Sequence, residues 1–217
     1  MSDNFPSVLP PILSVMALSM LPLLVVMGTA FTKISIVLSL MRNALGVQQA
    51  PSGLVINAIA LTLTIFIMVP LADTILKQMR EQNIHMDDWD GIARTFRIVS
   101  TAYSGYLSRH VSEKELAFFV DAAKKLWPQS MSDQITRDNI FILLPAHVTS
   151  ELTKAFEISF LLFLPFVVID LIVSNVLLSM GAMMVPPMLV SLPIKILLFV
   201  AADGWAQLLH NLVLSYV

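Results

Sequence analysis

The segment from Asn43 to Ala72, NALGVQQAPSGLVINAIALTLTIFIMVPLA, contains no Asp, Glu, Lys or Arg. A helix needs about 20 mainly apolar residues to cross a bilayer. Two further charge-free runs occupy residues 4–32 and 171–194. No stretch alternates between polar and apolar residues as a half-buried strand does. The sequence therefore predicts an all-α, membrane-associated protein.

Composition supports this class. The 217 residues are 57% hydrophobic and 13% charged, with a mean hydropathy of +0.80, whereas a soluble domain is about 25% charged. This argues against a soluble enzyme and against disorder. The net charge of -2 offers no basic surface for nucleic acid. The absence of cysteine excludes a disulfide framework and a thiolate metal site.

The charges divide the chain into three segments. Residues 73–138 hold 9 of the 13 Lys and Arg and 10 of the 15 Asp and Glu. We expect an N-terminal apolar arm over 1–72, a polar helical insert over 73–138 and a C-terminal apolar arm over 139–217. The first residues lack the positive charge and cleavage site of a secretory signal, so the N-terminus is expected to be retained.

Prolines interrupt the arms. Pro51 and Pro70 bracket the second apolar run, and Pro186, Pro187 and Pro193 lie in the last one. Proline removes a backbone donor and clashes with the preceding turn, and in lipid the freed carbonyl needs a partner. We expect broken apolar helices, arranged as hairpins and packed against protein as much as against lipid.

The insert has its own helical signals. One helix is expected from Ile92 to Leu107. Ser112 and Glu115 match a capping box that opens a second helix, and Pro128 ends it. A helical hairpin is the simplest interpretation.

No motif for enzyme chemistry is present. The sequence contains no His-Glu-x-x-His, no glycine-rich phosphate loop and no Gly-x-Ser-x-Gly, so we expect neither catalysis nor a cofactor. The four histidines, at positions 85, 110, 147 and 210, are interpreted as surface or packing residues. A solvated acidic loop is favoured over a weak cation site at His85, Asp87, Asp88 and Asp90.

Charged residues inside the arms stand out. A charge at the centre of a membrane helix costs about 2.5 to 3.5 kcal/mol, so such residues usually face a partner. We expect interhelical or intersubunit pairing; helix ends at the headgroups and a proton relay are the alternatives. The spacing of Glu151, Lys154 and Glu157 places them on one ridge. The full set is Lys33, Arg42, Glu151, Lys154, Glu157, Asp170, Lys195 and Asp203.

Methionine is concentrated at 180, 183, 184 and 188. Gly181 before Met183 and Pro186-Pro187 after Met184 indicate a non-helical loop. Methionine adapts to irregular shapes, so the loop is interpreted either as ordinary packing or as an adaptable constriction.

Both arms resemble the export-gate subunit family of type III secretion, FliP in flagella and SctR in injectisomes. The matching stretches, in the family's order, are FTKISIVLSLMRNALGVQQ (31–49), LPAHVTSELTKAFEI (144–158), PFVVIDL (165–171), SMGAMMVPP (179–187) and SLPIKILLFVAADGW (191–205). In the insert, FFVDAAKKLWP (118–128) is similar to injectisome members, which favours injectisome over flagellum.

The resemblance implies a subunit of a five-fold ring in the bacterial inner membrane, mostly on the periplasmic side. Two small helical subunits, a larger export-gate protein and a switch protein are the implied partners, with unfolded secretion substrates and lipid. The family's methionine constriction corresponds to Met183 and Met184. Ala182 stands where the family commonly has a third methionine, which leaves open which methionine forms the narrowest point.

Two expectations follow for the charges and for function. The pairs Glu151–Lys154 and Asp170–Lys195 are our candidates for holding the arms in register. A self-contained transporter that uses Glu151, Glu157 and Asp170 for proton coupling is the alternative, although it would usually show an inverted repeat, which the sequence lacks.

Overall fold

The computed structural model describes residues 26–47, 49–82, 89–132, 135–182 and 184–217, and these contain helices without strands. The helices are α1 (Phe31–Ala44), α2 (Gly53–Glu81), α3 (Trp89–His110), α4 (Glu113–Leu126), α5 (Gln129–Ser132), α6 (Ile140–Ser179), α7 (Pro187–Ala201) and α8 (Gly204–Leu214). The predicted all-α class is confirmed.

The 40-residue helix α6 organises the chain, since α1, α3, α4 and α7 all pack against it. It begins at Ile140 because the side chain of Asn139 accepts a hydrogen bond from the Phe141 N–H, which satisfies a donor that the first turn leaves free. Near its start it meets α3 and α4 of the polar insert, and further along it meets α1 and α7.

Two apolar cores follow from this arrangement. In α1, Ile34, Val37, Leu38 and Met41 recur at helical spacing and are buried against α2 and α6. Each such side chain stabilises the fold by about 1.5 to 3 kcal/mol. The second core joins the insert to α6 through its buried members Tyr106, Leu107, Leu116, Ala123, Ile142 and Leu143.

The insert differs from the predicted hairpin in two respects. Helices α3 and α4 contact α6 far more than each other, so α6 supplies the apolar surface that holds them. Ser112 does occupy the N-cap of α4, but its side chain makes no capping hydrogen bond. Its backbone N–H instead donates to Ser150 Oγ at 2.9 Å. The capping-box prediction was therefore wrong about the side-chain hydrogen bond of Ser112, whereas the helix that it predicted is present.

Four of the eight prolines in the described residues lie inside helices rather than at their ends. Pro51 precedes α2 as expected, whereas Pro70 lies inside it. Pro145 and Pro165 lie inside α6, and Pro193 lies inside α7. Neighbouring helices can satisfy the backbone groups that an internal proline frees, so these helices continue through their prolines.

Among the described residues, two helices, α2 and α6, are long and apolar enough to cross a membrane. Helices α7 and α8 would make a third span if the pair, bent by 61°, is counted as one. The charge-free run 171–194 is not a span, because it contains the loop between α6 and α7. The boundary between 72 and 73 falls inside α2, and the division into three segments stays a prediction.

Candidate functional site

A buried ion pair joins the two arms. Lys33 Nζ of α1 lies 3.3 Å from Glu151 Oε2 of α6, and the two side chains are 2% and 1% exposed. Removing one partner from such a pair leaves an uncompensated buried charge, which typically costs about 3 to 5 kcal/mol. The ion pair therefore holds α1 against α6 at Lys33 and Glu151.

Tyr216, beyond the end of α8, contacts both members of this ion pair. Its hydroxyl donates a hydrogen bond to Glu151 Oε2, and Lys33 Nζ lies 3.6 Å from the centre of its ring. Burial, with the neighbouring Glu151 carboxylate, raises the pKa of Tyr216 above its usual value. The phenol is therefore a neutral donor at physiological pH, and one side chain contacts both members of the ion pair.

Lys154 connects this pair to the insert. Its Nζ lies 3.5 Å from Glu151 Oε1 and donates to the His110 carbonyl at 2.8 Å. The His110 ring lies against Tyr106 and Tyr216, with centroids 4.6 and 5.3 Å away. We call the five residues Lys33, His110, Glu151, Lys154 and Tyr216 the junction cluster, because α1, α3, α6 and the residues after α8 meet there.

His147 and Tyr106 lie beside this cluster. The imidazole of His147 is fully buried, 5.9 Å from the Tyr106 ring, and neither its nitrogens nor the Tyr106 hydroxyl has a hydrogen-bond partner among the described residues. Burial raises the pKa of Tyr106 above its usual value. The sequence predicted that the histidines are surface or packing residues, and no motif marked Tyr216.

A second ion pair holds the other end of α1. Lys195 Nζ of α7 lies 2.6 Å from Asp170 Oδ2 of α6 and 3.3 Å from the carbonyl oxygen of Ala44. Ala44 is the last residue of α1, and a cation is favourable there because helix carbonyls concentrate negative charge. Lys195 is buried while the Asp170 side chain is 43% exposed, so the carboxylate faces outward.

Three of the predicted charges are not brought into ion pairs. Arg42 Nη1 donates to the Pro51 carbonyl at 3.3 Å. Glu157 and Asp203 are exposed, and none of the chain's 13 Lys and Arg, all within the described ranges, pairs with either. Asp203 has a positive φ of 50° at the bend between α7 and α8, a conformation that aspartate tolerates better than most residues.

The methionine loop lies between α6 and α7. Gly181, with φ of 73°, follows α6; its N–H donates to Leu178 O and the Ala182 N–H donates to Leu177 O. This pair of bonds is a Schellman motif, which uses glycine because a side chain is strained at positive φ. Met184 is 97% exposed, while Met183 lies outside the described residues. Also outside them are His85, Asp87 and Asp88 of the acidic loop.

Comparison with known proteins shows which family this chain resembles along most of its length. The FliP family model matches residues 14–212. The chain is 46% identical over 199 residues to Yop proteins translocation protein R of Yersinia pestis, with 92% of each chain covered. It is 42% identical over 216 residues to probable translocation protein y4yL of Sinorhizobium fredii, covering 100% of this chain and 97% of the relative.

A further relative is harpin secretion protein HrpW of Pseudomonas syringae, which is 40% identical over 201 residues and is covered to 97% of its length. The predicted resemblance is thereby confirmed. The chain therefore belongs to the FliP family, in its injectisome branch, and is a membrane-located component of a multisubunit type III secretion apparatus.

Proposed function

We propose that the protein is one subunit of a ring-shaped, protein-conducting channel whose narrowest part is formed by Met183 and Met184. The observation that carries this proposal is the exposure of Met184, which is 97% in the isolated chain. The loop that presents it is fixed at its start by the Schellman motif after α6. A large apolar side chain held out in this way is suited to meet the same side chain of neighbouring copies.

The chemistry of methionine suits such a constriction. Its unbranched, polarizable side chain adapts to surfaces of different shape, and apolar constrictions block ions by excluding water. A ring of methionines would close around an unfolded chain and seal when none is present. Ala182 contributes less bulk than a third methionine would, so the seal depends on the other two.

The assembly around this loop is part of the proposal. We infer a five-fold ring in the bacterial inner membrane, mostly on its periplasmic side, with two small helical subunits and with larger export-gate and switch proteins beneath. The exposed apolar residues of α6 and α7 support contacts with other subunits as well as with lipid. The role is non-enzymatic, since an ATPase and the proton-motive force elsewhere in the apparatus drive transport.

Ion conductance of the purified complex tests the constriction. Replacing Met183 and Met184 together with Ala should raise the conductance in planar bilayers while the size of the complex stays unchanged. Met131→Ala is the matched control, because Met131 is also exposed but belongs to the insert. Unchanged conductance in a normally assembled double variant would refute the seal.

The proton-coupled transporter has less support. Two of its three carboxylates, Glu151 and Asp170, are already paired with lysines. Purification in mild detergent separates the two functions: a large ring with small helical partners supports the channel, whereas a monomer or dimer of this chain supports the transporter.

A further inference from the structure

A polar cavity lies beside the junction cluster. It has a volume of about 370 Å³ and is bounded by the end of α3, the first half of α6 and the residues after α8. Sites for small ligands typically measure about 300 to 1,000 Å³, so this cavity is large enough to hold one. The residues that line it are Arg109, His110, Lys154, Ser215, Tyr216 and Val217.

The charges at this cavity and in the adjoining junction cluster do not balance. Lys33, Lys154 and Arg109 bring three positive charges. Among the described residues, Glu151 is the one carboxylate that pairs with any of them, and no ion pair there involves the carboxylate of Val217. The excess of positive charge favours a negatively charged ligand.

Arg109 and Lys154 supply the donors for such a ligand. The Arg109 Nε donates to the Gly105 carbonyl at 3.1 Å, and its terminal guanidinium nitrogens make no hydrogen bond within the described residues. Lys154 donates to the His110 carbonyl at 2.8 Å, yet its side chain remains 41% exposed. A guanidinium fork and an ammonium that line one cavity are well suited to bind the oxygens of a phosphate.

The position of the cavity favours a phospholipid as the source of that phosphate. Before Lys154, α6 packs against the polar insert. After it, α6 continues to Ser179 with two charged residues, and this helix is long and apolar enough to cross a membrane. Leu214, next to the cavity, is 63% exposed and offers apolar surface to an acyl chain. Basic pockets between membrane helices bind anionic headgroups.

We propose that the cavity binds the phosphate of an anionic phospholipid through Arg109 and Lys154. A carboxylate side chain from another subunit fits less well, because a single carboxylate would occupy only a small part of 370 Å³. The inference requires only that the protein is located in a membrane. Its failure would therefore leave the channel proposal standing.

Lipid titration of the purified complex in neutral detergent, followed by native mass spectrometry, tests the site. Phosphatidylglycerol should bind about tenfold more tightly than phosphatidylcholine, whose headgroup has no net charge. Glycerol phosphate has the same phosphate without acyl chains and should bind more weakly than phosphatidylglycerol. Equal affinities for the two lipids would overturn the proposal, and so would glycerol phosphate binding as tightly as phosphatidylglycerol.

Arginine variants supply the second readout. Arg109→Gln should lower the affinity for phosphatidylglycerol about tenfold, because it removes the charged donor. Arg109→Lys should lose less, since it keeps the charge without the planar fork. Arg97→Gln, at an exposed arginine of the same helix, is the matched control and should leave the affinity unchanged.

Two outcomes for these variants would overturn the proposal. The first is equal affinity for phosphatidylglycerol in Arg109→Gln and Arg97→Gln. The second is a loss of thermal stability in Arg109→Gln that is as large without phosphatidylglycerol as with it, because Arg109 would then serve a contact within the protein.

Discussion

Lys33 and Glu151 form an ion pair that solvent does not reach, and Tyr216 contacts both. The pair joins α1 to α6, and the tyrosine brings in the segment after α8. Because a buried charge needs its partner, the three elements are thermodynamically coupled at one point. The first two predictions test that coupling.

Separating Lys33 from Glu151 should destabilise the protein strongly. Lys33→Met and Glu151→Gln each leave a partner without its counterpart, and each should cost about 3 to 5 kcal/mol. The double variant should cost clearly less stability than the sum of the losses in the two single variants, because neither charge is then left without its partner. Thermal unfolding in detergent, followed by helical circular dichroism, measures all three. Strict additivity would show that the charges do not interact.

Tyr216 should contribute in two separable ways. Tyr216→Phe removes the hydrogen bond to Glu151, a bond to a charged group worth about 1.5 to 3 kcal/mol, but keeps the ring beside Lys33. Tyr216→Leu also removes the cation–π contact, worth about 0.5 to 2 kcal/mol more. The same unfolding measurement should rank wild type above Phe and Phe above Leu. A Phe variant as stable as wild type would contradict the hydrogen bond.

Gly28 should not tolerate a side chain. The Tyr103 hydroxyl donates to the Gly28 carbonyl at 2.9 Å, and a Cβ on Gly28 would lie 1.5 Å from that hydroxyl oxygen. Gly28→Ala should cost about 1 to 3 kcal/mol through overpacking, and adding Tyr103→Phe should restore part of the loss.

Gly105→Ala is the control for this change. A Cβ there meets nothing within 4 Å, and alanine is favoured over glycine inside a helix by about 1 kcal/mol. Gly105→Ala should therefore be neutral or stabilising. An equal loss in both alanine variants would mean that the Tyr103 contact is not the cause.

Stability should fall at strongly alkaline pH. Burial raises the pKa of Tyr103 from its usual value of 10.0 to about 12. The folded state therefore holds the phenol proton above pH 10 while the unfolded state releases it, so the unfolded state binds fewer protons and stability decreases as pH rises. Below pH 10 this contribution is fully present.

Thermal unfolding midpoints between about pH 9 and pH 12, a range that brackets the usual tyrosine pKa of about 10, measure this decrease. Tyr103→Phe should make the decline shallower by the contribution of one titrating group. Tyr106 and Tyr216, whose pKa values are also raised by burial, still contribute to the decline in this variant. An unchanged slope in the Phe variant would show that Tyr103 ionises normally.

Local patterns predicted the helices well. Charge-free composition anticipated α2, and helical spacing with Pro128 anticipated α4. The helix expected from Ile92 to Leu107 exists and extends over Trp89–His110. These signals succeed because a helix forms from contacts between residues three or four positions apart, and such spacing can be recognised in a short segment of sequence.

Tertiary contacts were harder to predict. Pro70, Pro145 and Pro165 lie inside helices, whereas proline on its own favours a break. The distribution of charge identified Lys33 and Glu151 as residues in need of partners but did not assign them to each other. Tyr216 carried no signal of its own, because its role comes from the proximity of residues far apart in the chain.

The position of Tyr216 in the chain has a consequence for biogenesis. A ribosome makes Lys33 early, Glu151 only after the whole insert, and Tyr216 later still. The nascent chain thus presents a lysine to the membrane well before its carboxylate exists. Insertion machinery must keep α1 at the water interface, or shield it, until α6 arrives. A chain that stops short of Tyr216 would bury the Lys33–Glu151 pair without the hydroxyl and the ring that contact its two members.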